Sequence, residues 1–279
     1  MPELLNRKDA IKYLNLPEKY FDNYFKSSQE IVGQKIKGRW YFNKSKLDDW
    51  NNLKNERTVN LSLVEYQTCF EFAIKMAYSS KASHGSGIRG VRSEVQMSDD
   101  FILGILAEHG VQKFLRNKFG INVDLDMEVH PDHITPQDFI SIEENSLKRE
   151  LNIGVAIKSS KFKSCFNIIP ANEYEDKNRM SDVYIFVRVG LPSDHLFRIL
   201  RKHSFFKEVS EFLEKDEKFR TIDELDKIPI WICGFSYRKE LEKVKSIPGQ
   251  EFSNGYRYVK SVSKMKNSDL EWKDLIEKF

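Results

Sequence analysis

The sequence has few cysteines and no long apolar run. Cys69, Cys165 and Cys233 are the only cysteines among 279 residues, and they stand far apart without a CxxC pair. This spacing excludes a disulfide-stapled secreted domain and a cysteine zinc site, so we expect three reduced, buried thiols. No stretch reaches the roughly 18 apolar residues of a membrane span, and no apolar signal core opens the chain. We therefore expect a cytoplasmic protein without a membrane partner.

The chain also has little net charge, +3, but that charge is unevenly distributed. Residues 1–57 hold 12 of the 45 Lys and Arg and only 8 of the 42 Asp and Glu. The whole positive excess therefore lies in this segment, which favours an anionic partner for it. A polar, charged stretch over 51–60 then separates it from the rest of the chain. We predict one domain over 1–57 and a larger domain over 58–279.

Short helices and a hairpin are predicted in the first domain. Apolar spacing favours helices over Arg7–Leu14 and 17–25, with a tight Asn-Leu-Pro break between them. Two β runs then pivot on Gly38, and a third helix follows, capped by Asn43 or Ser45. This order resembles the excisionase and MerR-like winged helix-turn-helix family, most specifically from residue 38 to residue 50. The resemblance implies a small winged-helix domain that binds double-stranded DNA.

In that family the second helix enters the major groove and the hairpin contacts phosphates or the minor groove. The resemblance gives as candidate DNA contacts Lys19, Asn23 and Lys26 on the helix, and Lys37 and Arg39 at the hairpin tip. Glu18 and Asp22 on the same helix would repel phosphates, so the helix docking on protein stays an alternative. A helical cap whose aromatic residues serve only packing is another.

A glycine-rich loop follows at 79–93, with three glycines, three basic residues and no acid. Glycines allow a close approach to a polyanion, which makes Ser86, Arg89 and Arg92 candidate DNA contacts. A surface loop without function is the alternative. The loop follows an apparent helix and lacks the GK[ST] of a P-loop, so we expect no nucleotide cofactor.

The second domain shows the pattern of an α/β fold. We predict a helix from Ser98 or Asp99 to about Phe119, three strands, a polar helix over 171–180 and a buried strand over Val183–Val189. This order predicts a mixed β-sheet flanked by helices. Asp138 begins the second of the three strands, and Lys158 lies on the third.

These residues resemble the PD-(D/E)xK nuclease superfamily, which includes most restriction endonucleases. Asp138 matches the first acid, Lys158 the lysine, and Glu108 the glutamate of the preceding helix. The resemblance implies a restriction-endonuclease-like fold and a type II enzyme that cuts double-stranded DNA as a homodimer. It also implies that Asp138 and Glu108 bind Mg²⁺, with Lys158 assisting water and stabilising charge. Lys161 would contact a phosphate.

One position departs from the family. Ala156 stands where the second acid is expected, two residues before Lys158. This departure has three explanations. The second acid comes from elsewhere in the chain, with Glu143 and Glu144 nearest, or the domain binds DNA without cutting it. In the third, the alanine is an engineered change that inactivates the enzyme. We take the third explanation as a working hypothesis.

Further alternatives remain open. Pro131-Asp132 spells the literal PD, and His130, Asp132 and His133 are a candidate transition-metal set, although a turn explains them equally well. Glu108 fits a surface salt bridge and Lys158 a strand-edge lysine. At the level of function, the alternatives are a DNA-binding regulator with a degenerate nuclease scaffold and a nuclease that requires modified DNA.

Overall fold

The structure is a computed structural model that describes residues 3–78, 93–128, 137–144, 147–215, 217–218, 220–253 and 255–279. In these residues it is a mixed α/β protein with nine α-helices and five β-sheets. The helices are α1 Arg7–Leu14, α2 Glu18–Asp22, α3 Lys44–Glu56, α4 Leu63–Ala77, α5 Glu94–Phe119, α6 Ala171–Glu175, α7 His195–Leu200, α8 Ser204–Lys215 and α9 Asp269–Ile276. None of these helices combines the length and apolar character needed to cross a membrane.

The strands follow the chain in fifteen segments. They are β1 Leu4–Asn6, β2 Gly33–Ile36, β3 Arg39–Asn43, β4 Thr58–Ser62, β5 Asn122–Leu125, β6 Phe139–Glu144, β7 Leu147–Arg149, β8 Val155–Lys161, β9 Phe166–Pro170, β10 Val183–Val189, β11 Lys227–Tyr237, β12 Glu242–Val244, β13 Ser246–Ile247, β14 Gln250–Glu251 and β15 Arg257–Ser261. They form sheets in the orders β1-β3-β2, β4-β11-β10-β8, β12-β15-β9, β13-β14 and β5-β6-β7.

The N-terminal elements have the predicted order of helix, turn, helix, hairpin and helix. Asn15 adopts a left-handed conformation (φ 48°) at the end of α1, which makes the tight break. The second helix is shorter than predicted, because the chain passes from α2 into a π-helical turn over Asn23–Ser27. The Asn43 side chain caps α3 by accepting a hydrogen bond from the Ser45 amide, as predicted.

The central sheet is mixed, as the sequence predicts. β8 and β10 run parallel, whereas β10 with β11 and β11 with β4 run antiparallel. Helix α5 packs on one face, where Leu106 and Val111 share a core with Ile185 of β10. On the other face, Phe186 and Trp231 share a second core with the N-terminal elements. The sheet therefore lies between the long helix and the first fifty residues.

Three local predictions were wrong or incomplete. Helix α5 is capped by Ser93 and not by Ser98 or Asp99, because the Ser93 and Gln96 side chains form a reciprocal capping box. The expected polar linker over 51–60 is the end of α3 and strand β4. Helix α9 was not predicted at all. The three cysteines are buried and free, as predicted.

Candidate active site

Asp138 lies beside the open edge of the central sheet. Its backbone amide donates to the Val155 carbonyl (3.1 Å), and its carboxylate accepts a hydrogen bond from the Ile157 amide. Both partners belong to β8, the edge strand that also carries Lys158. Because two hydrogen bonds tie Asp138 to this strand, its carboxylate is fixed next to the lysine.

Lys158 contacts an acid from a different element. Its Nζ lies 2.7 Å from Oε1 of Glu173, which belongs to the short helix α6 that follows β9. The lysine side chain is 28% exposed and that of Glu173 is 16% exposed, so solvent reaches the pair. An ion pair in this half-buried position orients the lysine side chain.

Glu108, on α5, completes the cluster. Burial and the nearby negative charge of Asp138 raise its pKa well above the usual range, whereas Lys158 acts in the opposite direction. Burial also raises the pKa of Asp138 to about 6, against the attraction of Lys158 and the hydrogen bond from Ile157. The charges of four side chains therefore influence one another. They are Glu108 on α5, Asp138 just before β6, Lys158 on β8 and Glu173 on α6.

The charge of Lys158 follows from these neighbours. Burial alone would lower its pKa, but attraction to Glu173 and Asp138 outweighs burial and raises the pKa above the usual lysine value. Lys158 therefore stays protonated at neutral pH. Such a lysine acts as a fixed positive charge and not as a proton acceptor.

Glu173 was missed in the sequence. Ala156, at the position expected for the second acid, is buried and packs with Ile169, Tyr184 and Leu241. Glu143, one of the two replacements considered, is exposed and its carboxylate accepts a hydrogen bond from Asn122 (3.2 Å). The signal that points to Glu173 is an acid in the first turn of the helix that follows β8 and β9.

The other candidate residues lie away from this cluster. Lys161 faces Asp99, with Nζ 3.8 Å from its carboxylate. The side-chain amide of Asn23 donates a hydrogen bond to the Lys163 carbonyl (3.0 Å), and Lys26 forms an ion pair with Asp22 (3.2 Å). Lys19, Lys37 and Arg39 are exposed. Ser86, Arg89 and Arg92, the Pro131-Asp132 alternative, and His130 and His133 all lie outside the described residues.

Comparison with known protein families, with curated proteins and with solved structures gives a single result. No match was found.

The cluster contains three carboxylates, from Glu108, Asp138 and Glu173. Among the described residues, no three Asp, Glu, His or Cys side chains converge closely enough to hold a metal ion as they stand. However, burial raises the pKa values of Glu108 and Asp138, and compensation by Lys158 does not offset the effect of burial. A cation bound by carboxylate oxygens would supply that compensation, and such oxygens are the ligands that Mg²⁺ prefers.

Proposed function

We propose that this chain is a Mg²⁺-dependent endonuclease that cuts double-stranded DNA at a specific sequence, a type II restriction enzyme of the PD-(D/E)xK superfamily. The observation that carries the proposal is the grouping of Glu108, Asp138, Lys158 and Glu173 at one sheet edge. A cluster of carboxylates and a fixed lysine is what phosphodiester hydrolysis needs.

The topology supports a restriction-endonuclease-like fold. Helix α5 precedes the antiparallel pair β5 and β6, strand β8 follows, and the chain returns through α6 to β10, parallel to β8. The predicted order has three strands between the two helices, whereas the structure has five, β5 to β9, and β6 belongs to a different sheet from β8. The fold assignment belongs to the proposal and agrees with where the four side chains lie.

Each residue has a role in the proposed reaction. Asp138, Glu108 and Glu173 do not converge closely enough to bind an ion as they stand, so their side chains would have to move together to hold Mg²⁺. The bound ion would polarise the scissile phosphate and activate water. Protonated Lys158 would stabilise the negative charge that develops on the phosphate oxygens. Glu173 also positions the lysine through their ion pair. We propose a homodimer acting in the cytoplasm, because two copies cut both strands of a symmetric site.

Glu173 changes the interpretation of Ala156. An acid that reaches Lys158 from α6 replaces the one absent from β8, so the alanine does not require an inactive protein. The working hypothesis of an engineered inactivation and the Glu173 proposal predict opposite activities for the unaltered chain.

Digestion of phage-length duplex DNA tests the proposal. With Mg²⁺ the unaltered chain should give discrete fragments from methylated or unmethylated DNA, and neither EDTA-treated protein nor the Lys158→Met variant should cut. Ala156→Glu should not increase the rate. Intact DNA with the unaltered chain and cutting by Ala156→Glu would establish the inactivation hypothesis instead. Binding without cutting by either protein would favour the non-catalytic regulator.

A further inference from the structure

The predicted first domain, over 1–57, is called the N-terminal unit below. Its second helix, residues 18–27, forms hydrogen bonds to the rest of the protein. The Tyr24 hydroxyl donates a hydrogen bond to the Phe162 carbonyl, and the side-chain amide of Asn23 donates one to the Lys163 carbonyl. Just after the helix, the Ser28 carbonyl accepts from the Ser261 hydroxyl (3.1 Å). The helix therefore has one side committed to the body of the protein.

A buried ion pair strengthens this attachment. Arg188, on the central strand β10, donates to both carboxylate oxygens of Glu30 at 2.7 and 2.8 Å. The guanidinium also lies over the rings of Tyr24 (4.4 Å) and Trp231 (4.3 Å). The arginine side chain is fully buried, so this contact holds the N-terminal unit in a fixed position on the sheet.

Two basic residues on and beside the helix, Arg7 and Lys26, are paired with its own acids. Arg7 of α1 contacts Glu18 (2.7 Å) and Asp22 (2.9 Å), and Lys26 contacts Asp22 (3.2 Å). Within residues 18–27 the two lysines are balanced by two acids. A helix with this surface offers little attraction to a phosphate backbone.

The hairpin of β2 and β3 is different. Lys35, Lys37 and Arg39 are exposed, and none of the three forms an ion pair with a residue that the structure describes. Lys37 (φ 46°) and Gly38 (φ 83°) are both left-handed, as in the tight two-residue turn that fits a twisted hairpin.

The tip also carries exposed apolar surface. Ile36 is 38% and Trp40 41% exposed, although the Trp40 ring packs edge-on against Phe25 (4.8 Å). A rigid ribbon with three uncompensated positive charges and apolar side chains can enter a groove of duplex DNA with little loss of conformational entropy.

We propose that the hairpin over 33–43 is the element of the N-terminal unit that contacts duplex DNA, and that the helix over 18–27 is a docking element and not a reading helix. This inference rests on the proposed DNA-cutting function. It assigns DNA contact to Lys35, Lys37 and Arg39, and withdraws it from Lys19, Asn23 and Lys26.

Binding of the full-length chain to a fluorescent duplex, in EDTA to prevent cutting, tests the inference with two matched double variants. Lys37→Asn/Arg39→Gln and Lys19→Gln/Lys26→Gln each remove two positive charges, and asparagine tolerates the left-handed position of Lys37. The hairpin variant should raise Kd roughly ten- to hundred-fold and reduce the salt slope by about 2. The helix variant should change Kd by less than about threefold.

The remaining outcomes are separable. An effect of the helix variant equal to or larger than that of the hairpin variant would overturn the inference while leaving the proposed function intact. If the hairpin variant binds duplex DNA with the Kd of the unaltered chain, the inference is likewise overturned and the proposed function stays intact. Tighter binding of an RNA duplex than of a DNA duplex would overturn the assignment to DNA. An unaltered chain that neither binds nor cuts duplex DNA would refute the proposed function along with the inference. Thermal unfolding by circular dichroism establishes that both variants fold.

Discussion

Asp138 carries a carboxyl group whose ionisation costs the folded protein stability. Its pKa is raised to about 6, mainly by burial, whereas an unfolded aspartate titrates near pH 4. Between these values the folded state holds the proton more tightly than the unfolded state. The contribution of Asp138 to the free energy of unfolding therefore decreases as pH rises from about 4 to about 6.

Replacing this carboxyl group should stabilise the protein at high pH. We expect Asp138→Asn to raise the free energy of unfolding by about 1 to 3 kcal/mol at pH 8, after allowance for its partial exposure, and to change it little near pH 4. The amide oxygen still accepts the Ile157 hydrogen bond. Urea unfolding at both pH values measures the difference. Asp124→Asn is the control of opposite sign, because Lys148 and Ser141 lower the pKa of Asp124.

The residues of the cluster differ in how well the sequence predicts them. Asp138 and Lys158 lie on consecutive predicted strands, and Glu108 lies on the preceding helix, so the sequence predicts that they are close. In the structure β6 and β8 belong to different sheets, and the hydrogen bonds of Asp138 to β8 bring the two residues together. Glu173 depends on where α6 lies, and that follows from the pairing of β9 with β15, almost ninety residues further along the chain. No local pattern encodes this pairing.

Helix α5 illustrates what local sequence does encode. Its C-terminal end at Phe119 was predicted, and Gly120 is left-handed there (φ 71°), as glycine is at many helix ends. Its predicted N-cap, Ser98 or Asp99, lies five to six residues after the actual N-cap Ser93, because Ser98 and Asp99 stand directly before the first apolar positions of the predicted face. The Ser93-x-x-Gln96 capping box is the better signal, and the same type of box, Ser268 with Glu271, begins the missed helix α9.

Two glycines in α5 give a matched test of how this helix packs. A Cβ at Gly110 would lie 2.3 Å from Cγ2 and 2.9 Å from Cβ of Ile230, whereas a Cβ at Gly104 would meet nothing within 4 Å. Gly104→Ala should stabilise the protein by about 0.5 to 1 kcal/mol through helix propensity. Gly110→Ala should destabilise it, because overpacking costs about 1 to 3 kcal/mol and exceeds that gain. Equal effects of the two variants on urea unfolding would contradict this packing.

Across the whole molecule, the buried pair of Arg188 and Glu30 joins the N-terminal unit to the central sheet. The two residues are 158 positions apart, and nothing in the local sequence distinguishes either of them. The sequence predicts two domains joined near residue 57. In the structure, Arg57 itself is buried and its guanidinium donates to the Asn267 carbonyl (2.8 Å). The two predicted domains therefore contact each other through Glu30 and Arg188, and Arg57 at their boundary contacts Asn267.

Removing one partner of the buried pair should be costly. Glu30→Ala leaves the Arg188 charge buried without its carboxylate, which we expect to lower the free energy of unfolding by about 3 to 5 kcal/mol. The double variant Glu30→Ala/Arg188→Met should lose less than the single variant, because no charge is then left unpaired. Urea unfolding of the three proteins measures both values. A loss in the double variant equal to or larger than that in Glu30→Ala would show that the pair does not carry the contact.

The central claim is that Glu173 supplies the acid that β8 lacks, and the rate of Mg²⁺-dependent DNA cleavage by matched glutamate variants tests it most directly. Glu173→Gln and Glu143→Gln each replace one glutamate by its neutral isostere, one beside Lys158 and one beside Asn122. We predict that Glu173→Gln cuts about 100-fold more slowly or not at all, and that Glu143→Gln cuts at the unaltered rate. A Glu173→Gln variant that folds and cuts within about threefold of the unaltered rate would contradict the account.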